Sequence, residues 1–119
     1  MEAQLLTSDR LAHIPANIQT VLAQLKRELI DFYGGKLQKL VLFGSYARGD
    51  FHAESDIDVM PVVAGLSVDD LKLEELFDIT YPHLLQDQVK VSIVATLTDQ
   101  YERADTFLLM FVHKDGIEL

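Results

Sequence analysis

Apolar residues in the first third of the chain recur at steps of three and four. They are Ile18, Val21, Leu22, Leu25, Leu29 and Ile30. This spacing places the six side chains on one face of an amphipathic helix. The helix is predicted to begin near Ile14-Pro15 and to end at Gly34-Gly35, because glycine commonly terminates helices. Residues 1–14 are predicted to be irregular.

Three later segments carry the apolar and β-branched runs that are typical of strands. They cover Leu37–Phe43, Ser55–Val63 and Val89–Ala95. The second run is apolar at most positions, which predicts a largely buried strand. Pro61 lies inside it and has no N–H to donate. We therefore expect this end of the strand to be unpaired on one side or bulged.

Three further helices are predicted, two of them marked by a capping serine. Ser45 can cap a short helix over Tyr46–Arg48, and Ser67 can cap a second helix. Tyr81-Pro82 is expected to form a boundary or a kink near the end of that second helix, because proline disfavours a helical conformation in the residue before it. A last helix is predicted over Asp99–Val112.

The order helix, strand, short helix, strand, helix, strand, helix predicts an α/β or α+β fold. A small mixed sheet would be packed by helices in a two-layer arrangement. The 119 residues, 49% of them apolar, are enough for one domain spanning 1–119 with a buried core. No repeat or linker interrupts the chain.

Three absences bear on where the protein acts. The chain has no apolar run near 18 residues, so no transmembrane span is expected. Its start, Met1–Gln4, lacks the basic segment and the apolar core of a signal peptide. It contains no cysteine, which excludes disulfides and thiolate metal sites. Together these features predict a cytoplasmic protein without a membrane partner.

The formal net charge of −9 limits the kinds of partner. An acidic surface repels the nucleic-acid backbone unless its basic residues cluster, and here only Lys26-Arg27 are adjacent. A DNA or RNA acceptor is therefore not expected. The acidity either keeps the domain soluble or forms a face for a basic partner protein, and the sequence leaves both interpretations open.

The most informative chemistry lies between the first two strands, where Gly44-Ser45 is followed after ten residues by Asp56-Ile57-Asp58. Gly44 has no Cβ, so the backbone can turn sharply and approach a phosphate. Ser45 offers a hydroxyl and an N–H to phosphate oxygens. Residues two apart on a strand share one face, with Cβ atoms roughly 6.5 Å apart. Two carboxylates so placed repel each other unless a cation such as Mg²⁺ bridges them.

This succession of strand, Gly44-Ser45, ten residues, Asp56-x-Asp58 and strand resembles the signature of the DNA polymerase β-like nucleotidyltransferase superfamily. By length, the chain is most similar to the minimal nucleotidyltransferase (MNT) branch, whose members often serve as antitoxins beside a helical HEPN toxin. The resemblance is strongest over residues 40–60. It continues more weakly through Phe107–Leu119, where a helix is followed by glycine.

The resemblance implies a Mg²⁺-dependent nucleotidyltransferase that moves a nucleoside monophosphate from ATP or another NTP to a hydroxyl and releases pyrophosphate. Asp56 and Asp58 would be the catalytic residues and the ligands of two Mg²⁺ ions. Gly44, Ser45 and Arg48 would bind the nucleotide. The acceptor would be a small molecule or a partner protein, such as a tyrosine of a HEPN-type toxin.

Other polar residues near the motif also have simpler interpretations. Arg48 can form an ion pair with Asp50 or Glu54 instead of contacting phosphate. Tyr46 is expected to pack rather than to stack on a base, and Ser55 is expected to position the loop. The histidines show no spacing typical of a zinc site, and the one in the loop is expected to be a surface residue. They are His13, His52, His83 and His113.

The third strand departs from the superfamily pattern, because active members generally carry a third carboxylate there. Two registers are open, and they place Lys90 or Ser92 at that position. Asp87 is the nearest carboxylate, but it would need another register or a bulge to reach the site. Either an acid substitutes, or the domain binds nucleotide with slow or no transfer, or Lys90 neutralises phosphate. Lys90 could equally be the charged residue of an edge strand.

Two rival functions remain open. One is a catalytically weakened MNT-fold binding module that neutralises its partner by association. The other is an RNA-modifying transferase that uses no template, and the net charge counts against it. A homo-oligomer is also compatible with the sequence, because Leu108–Phe111 make the last helix apolar nearly all round. A core helix would show the same pattern. The acceptor and the preferred nucleotide are not fixed by the sequence.

Overall fold

The computed structural model describes residues 9–119, which contain five α-helices and five strands. The helices are α1 (Ala16–Tyr33), α2 (Ser45–Arg48), α3 (Phe77–Asp87), α4 (Thr98–Arg103) and α5 (Phe107–Asp115). The strands are β1 (Leu37–Phe43), β2 (Ile57–Val63), β3 (Val91–Ile93), β4 (Thr96–Leu97) and β5 (Ile117–Glu118). Of the segment predicted to be irregular, residues 1–8 lie outside the described residues, and Asp9–Leu11 form a 3₁₀ turn.

The strands form one mixed sheet in the order β3-β2-β1-β5, and β4 also pairs with β2. β1 is antiparallel to β2 and to β5, whereas β3 and β4 run parallel to β2. The parallel side of β2 pairs at residues 57–59 and again at 62–63. The break falls at Met60 and Pro61, as expected for a residue that cannot donate to a ladder.

The sequence predicts two layers. The structure has three, because helices cover both faces of the sheet. On β2, Val59 and Val63 belong to the larger core, together with the apolar face of α1. Met60 and Val62 point the other way and pack with Leu109 of α5 and with residues of α4. Because β2 is apolar on both faces, each face needs a cover.

Two of the predicted elements match the structure closely. α1 buries Ile18, Val21, Leu22, Leu25 and Leu29 of the predicted face, whereas Ile30 is exposed, and Gly34 follows the helix with φ +59°. β1 has the predicted bounds. The second strand begins at Ile57 rather than Ser55, so Asp56 immediately precedes it.

The later helices differ from their predicted bounds because residues other than glycine adopt left-handed conformations. Lys72 (φ +50°) separates two 3₁₀ segments, Val68–Leu71 and Leu73–Leu76, which replace the start of the predicted second helix. Ala104 (φ +49°) ends α4, and Thr106 then caps α5 by accepting a hydrogen bond from the Leu109 N–H at 3.2 Å. The predicted last helix is therefore two helices.

Pro82 lies inside α3 and does not end it. The next residue, His83, is buried, and its ring nitrogens lie 2.8 Å from Asp87 Oδ2 and 2.7 Å from Glu28 Oε1. The first contact spans one turn of α3, and the second joins α3 to α1. These contacts hold the segment after Pro82 in a helix although proline removes one hydrogen bond.

Among residues 9–119, no helix combines the length and the apolarity that a bilayer crossing requires.

The His83 contacts predict a pH-dependent part of the stability. Burial lowers the pKa of His83, but the hydrogen bonds and charges of Glu28 and Asp87 outweigh it, so the pKa is raised above 6.5. The folded chain therefore binds this proton more tightly than the unfolded chain. The stabilisation is complete below pH 6.5 and is lost as the pH rises through the raised pKa.

Chemical denaturation across this pH range tests the prediction with His83→Gln, which cannot become charged. We expect the variant to be less stable by about 1–2 kcal/mol at low pH. The difference from the wild type should shrink as the pH rises. A stability difference that does not change with pH would contradict the charged contact. The titration of the other histidines does not affect this difference, because both proteins contain them.

Candidate functional site

The turn after β1 brings Gly44 against Asp58. Gly44 has φ +77° and ψ −155°, a conformation that is essentially restricted to glycine. A Cβ at this position would overlap Asp58 Oδ2 and lie 3.1 Å from Asp58 Cγ. The Asp58 carboxylate therefore occupies the space that a side chain at position 44 would need. The approach of a phosphate to Gly44 remains a prediction.

The two aspartates flank Ile57, which is fully buried. Both carboxylates line one cavity, and Asp58 is half-buried whereas Asp56 is more open. Burial and the neighbouring charge of Asp56 raise the pKa of Asp58, and Arg48 partly opposes this. An ionised pair here is an unfavourable concentration of negative charge that a cation would relieve.

The first cavity lies between the Gly44-Ser45 turn, the 52–56 loop and α5, and its volume is about 680 Å³. Every predicted site residue lines it, namely Gly44, Ser45, Arg48, Asp56 and Asp58. α5 lines the same cavity with the apolar side chains of Leu108, Phe111 and Val112 and with Asp115. Sequence analysis did not assign α5 to the site, although its apolar surplus was the available signal.

Arg48 lies at the cavity and also forms the ion pair expected of it. Its Nε is 3.2 Å from Asp50 Oδ2, and both side chains are well exposed. An exposed pair of this kind contributes at most about 1 kcal/mol. Arg48 can therefore leave Asp50 for a phosphate at little cost, so the two interpretations are compatible.

Neighbouring residues hold the loop and the turn in place. Tyr46 is buried and stacks on Phe51 with ring centroids 4.6 Å apart, which confirms the packing role. Ser55 Oγ accepts a hydrogen bond from the His52 N–H at 2.9 Å, so Ser55 does position the loop. His52 is exposed, as expected, and it also lines the cavity.

The β3 side of the site has no acidic side chain in register. Ser92 pairs with Asp58, and Lys90 Nζ lies 3.9 Å from Asp56 Oδ2. Asp87 contacts His83 and does not line the first cavity. Within residues 9–119, no three acidic or histidine side chains are grouped closely enough to hold a metal ion. Asp56 and Asp58 are therefore the two carboxylates that this site offers to a metal ion.

The two carboxylates nevertheless suit Mg²⁺. This ion prefers oxygen ligands and is usually held by one or two carboxylates together with waters and substrate phosphates. Because Gly44 has no side chain, Asp58 Oδ2 lies close to the backbone of the turn. Asp56 and Asp58 thus fit a Mg²⁺ ion that takes its other ligands from a bound phosphate and water.

Comparison with known proteins agrees with this geometry. A family model described as nucleotidyltransferase domain matches residues 22–118. Putative protein adenylyltransferase MJ0604 of Methanocaldococcus jannaschii is 34% identical over 71 residues, or 60% of this chain and 65% of that protein. Putative protein adenylyltransferase MJ0141 of the same organism is 42% identical over 43 residues, or 36% of this chain and 43% of that protein. The chain thus spans less than two thirds of these curated relatives.

Solved structures share the fold. A toxin–antitoxin crystallised with AMP-PNP is 25% identical with a TM-score of 0.54, covering 80% of this chain and 69% of that chain. A mutant of the toxin–antitoxin MntA-HpeT is also 25% identical, with a TM-score of 0.52, covering 81% of this chain and 69% of that chain. These similarities confirm the predicted mixed α/β fold and the superfamily resemblance.

Alanine substitutions at Gly34 and Gly44 distinguish the cost of backbone strain from the cost of the collision with Asp58. Gly34 has a similar backbone conformation to Gly44, but an added Cβ there meets nothing within 4 Å. We expect Gly34→Ala to cost only the strain, about 1–3 kcal/mol. Gly44→Ala should cost on the order of 1 kcal/mol more, because the Asp58 carboxylate must move.

Urea denaturation of both variants measures these costs. The double variant Gly44→Ala/Asp58→Ala should recover the excess cost, because the two positions are in contact and their effects are not additive. Strictly additive costs would contradict the close packing of Gly44 on Asp58.

Proposed function

The chain belongs to the nucleotidyltransferase domain family, and from this premise we propose that it transfers AMP from ATP to a hydroxyl of a partner protein. One observation carries the proposal. A single cavity of about 680 Å³ is lined both by the Gly44-Ser45 turn and by Asp56 and Asp58. A phosphate-binding turn and a pair of carboxylates facing one space are what the reaction requires.

The turn would hold the triphosphate. Ser45 lines the cavity and would offer its hydroxyl and its N–H to β and γ phosphate oxygens. Arg48 would turn from Asp50 to a phosphate oxygen and donate a charge-assisted hydrogen bond. The polar residues of the lining would therefore hold the phosphates, and the apolar side chains of α5 are left for the base.

Asp56 and Asp58 would hold Mg²⁺. In the proposed two-ion arrangement, the metal supplies positive charge to the transferred phosphoryl group. Asp58 contributes from β2, where burial raises its pKa, and the more exposed Asp56 contributes from the preceding loop. Ligands beyond these carboxylates would come from phosphates and water.

The transfer needs no reactant other than ATP and the acceptor hydroxyl. The acceptor oxygen forms a bond to the α-phosphorus, and the bond from that phosphorus to the oxygen bridging to the β-phosphate breaks. Pyrophosphate leaves with the electron pair, and the hydroxyl proton is released to water. The substrates are Mg-ATP and the acceptor, so the proposed activity belongs to the cytoplasm, where ATP is available.

Three observations support a protein as the acceptor. The related archaeal proteins are named protein adenylyltransferases. Two solved structures that share the fold are toxin–antitoxin proteins, one of them with AMP-PNP. The net charge of −9 disfavours a nucleic-acid acceptor. We propose a HEPN-type toxin as the partner, with this chain acting as its antitoxin.

A binding module without transfer is the second candidate. It is favoured by the register of β3, which places Ser92 rather than an acid beside Asp58. It is also favoured by the apolar side chains that α5 exposes, namely Phe107, Leu108, Met110 and Phe111. Such a module would neutralise its partner by association alone, and association would survive substitution of both site aspartates.

Label transfer from α-³²P-ATP separates the two candidates. The protein is incubated with Mg²⁺, alone and with the product of the adjacent gene. We expect label on that product and a loss of at least about 100-fold in Asp56→Asn/Asp58→Asn, because the metal charge is essential to the transition state. The matched control Asp78→Asn/Asp105→Asn removes two exposed carboxylates outside the cavity and should transfer normally.

Unchanged transfer by the site variant would contradict the mechanism. A stable complex that forms in the wild type and in the site variant, without label in either, would favour the binding module.

The apolar wall predicts where the base lies. Phe111 is 59% exposed and lines the cavity, whereas Phe107 is 77% exposed on the same helix and does not. Stacking of a base on an aromatic ring contributes about 1–3 kcal/mol. We expect Phe111→Ala to weaken Mg-ATP binding by about tenfold, and Phe107→Ala to leave it unchanged.

Titration calorimetry with Mg-ATP and with Mg-tripolyphosphate makes the test specific. Tripolyphosphate has no base, so its affinity should be the same in both variants and in the wild type. A Phe111→Ala variant that binds both ligands less tightly would place the ring at the phosphates instead.

A further inference from the structure

A second cavity of about 580 Å³ lies on the other side of the 52–56 loop. Its remaining walls come from the start of α1, the end of α3 and the segment leading into β3. Asp56 lines both cavities. We propose that the second cavity receives the hydroxyl acceptor, a side chain of a partner polypeptide, while the first cavity holds the nucleotide. This inference rests on the proposed function.

The in-line geometry of the transfer indicates which cavity holds the nucleotide and which receives the acceptor. In phosphoryl transfer, the attacking and the leaving oxygens lie roughly in line on opposite sides of the phosphorus. The Gly44-Ser45 turn, which would hold the leaving pyrophosphate, follows β1 at one side of β2. β3 lies on the other side of β2. A hydroxyl that attacks opposite the pyrophosphate must therefore arrive from the β3 side.

The second cavity lies on that side and reaches Asp56. Lys90 lines it, and the Lys90 Nζ lies 3.9 Å from Asp56 Oδ2 with 71% of its side chain exposed. An acceptor in this cavity would thus meet the transferred phosphorus at Asp56 without crossing the first cavity. The bond from the acceptor oxygen to the α-phosphorus forms there, and pyrophosphate leaves through the first cavity.

The lining indicates the class of acceptor. Phe51, Leu84 and Val89 give the cavity apolar surface, which suits a side chain with an apolar body. Carboxylates of the lining, including those of Glu54 and Asp87, face the same space. A nucleic-acid backbone would be repelled by them. A neutral or basic polypeptide segment would not, and the volume lies in the range of sites that bind small molecules.

The absence of cysteine from the chain allows a test by site-selective blocking. Single cysteines are introduced at two walls of the second cavity, as Leu84→Cys in α3 and Ala53→Cys in the loop. Val68→Cys, 60% exposed and lining neither cavity, is the control. Each variant is treated with a bulky maleimide, and intact mass confirms one adduct. Ala53 is exposed, so its variant keeps the test valid if Leu84→Cys fails to fold.

Two quantities are measured before and after modification. They are label transfer from α-³²P-ATP to the adjacent-gene product and the affinity for Mg-ATP. We expect the adducts at positions 84 and 53 to reduce transfer by at least about tenfold while Mg-ATP affinity stays within about twofold, since only the acceptor cavity is filled. The adduct at position 68 should change neither quantity.

Each other outcome overturns the assignment. Loss of Mg-ATP binding from the adducts at 84 and 53 would make the second cavity the nucleotide site. Normal transfer with both adducts would place the acceptor elsewhere. Label on an added oligoribonucleotide, rather than on the protein, would replace a polypeptide acceptor by RNA. A wild-type protein that neither binds Mg-ATP nor transfers label would remove the proposed function itself, and this inference with it.

Discussion

The antiparallel pairing of β1 with β2 holds both halves of the site together. Phe43 opposes Asp58, so the turn that follows β1 meets the start of β2. The next pair inward, Leu42 and Val59, is fully buried. A slip of one residue would turn every side chain of the strand to the other face. Since each buried side chain contributes about 1.5–3 kcal/mol, the core fixes the register, and the register places the carboxylates.

Local patterns were sufficient to predict much of this arrangement. The apolar periodicity of α1 and the bounds of β1 depend on neighbouring residues only, and both match the structure. The structure brings Gly44-Ser45 and the two aspartates to one cavity, because these motifs lie at the ends of adjacent antiparallel strands. What the sequence could not reveal is that Asp58 itself occupies the space left by the missing Cβ of Gly44.

The features that were missed depend on distant contacts or on unusual conformations. Lys72, Gln88 and Ala104 adopt left-handed conformations that sequence patterns associate with glycine. The break at Ala104 turned one predicted helix into two. β5 has only two residues, and it is a strand because it pairs with the middle of β1. The second cavity is formed by three segments distant in sequence, within residues 15–18, 46–56 and 84–90, so no single run of residues marks it.

The shared volume at Gly44 and Asp58 imposes an order on evolutionary change. A side chain at position 44 is better tolerated after position 58 has become smaller, because a Cβ at 44 and the carboxylate at 58 overlap. In a lineage released from selection for catalysis, the aspartate is therefore lost before the glycine. A descendant that still has the glycine can regain the aspartate by one substitution. Once a side chain fills position 44, regaining the aspartate costs stability, because the carboxylate must move away from the added Cβ.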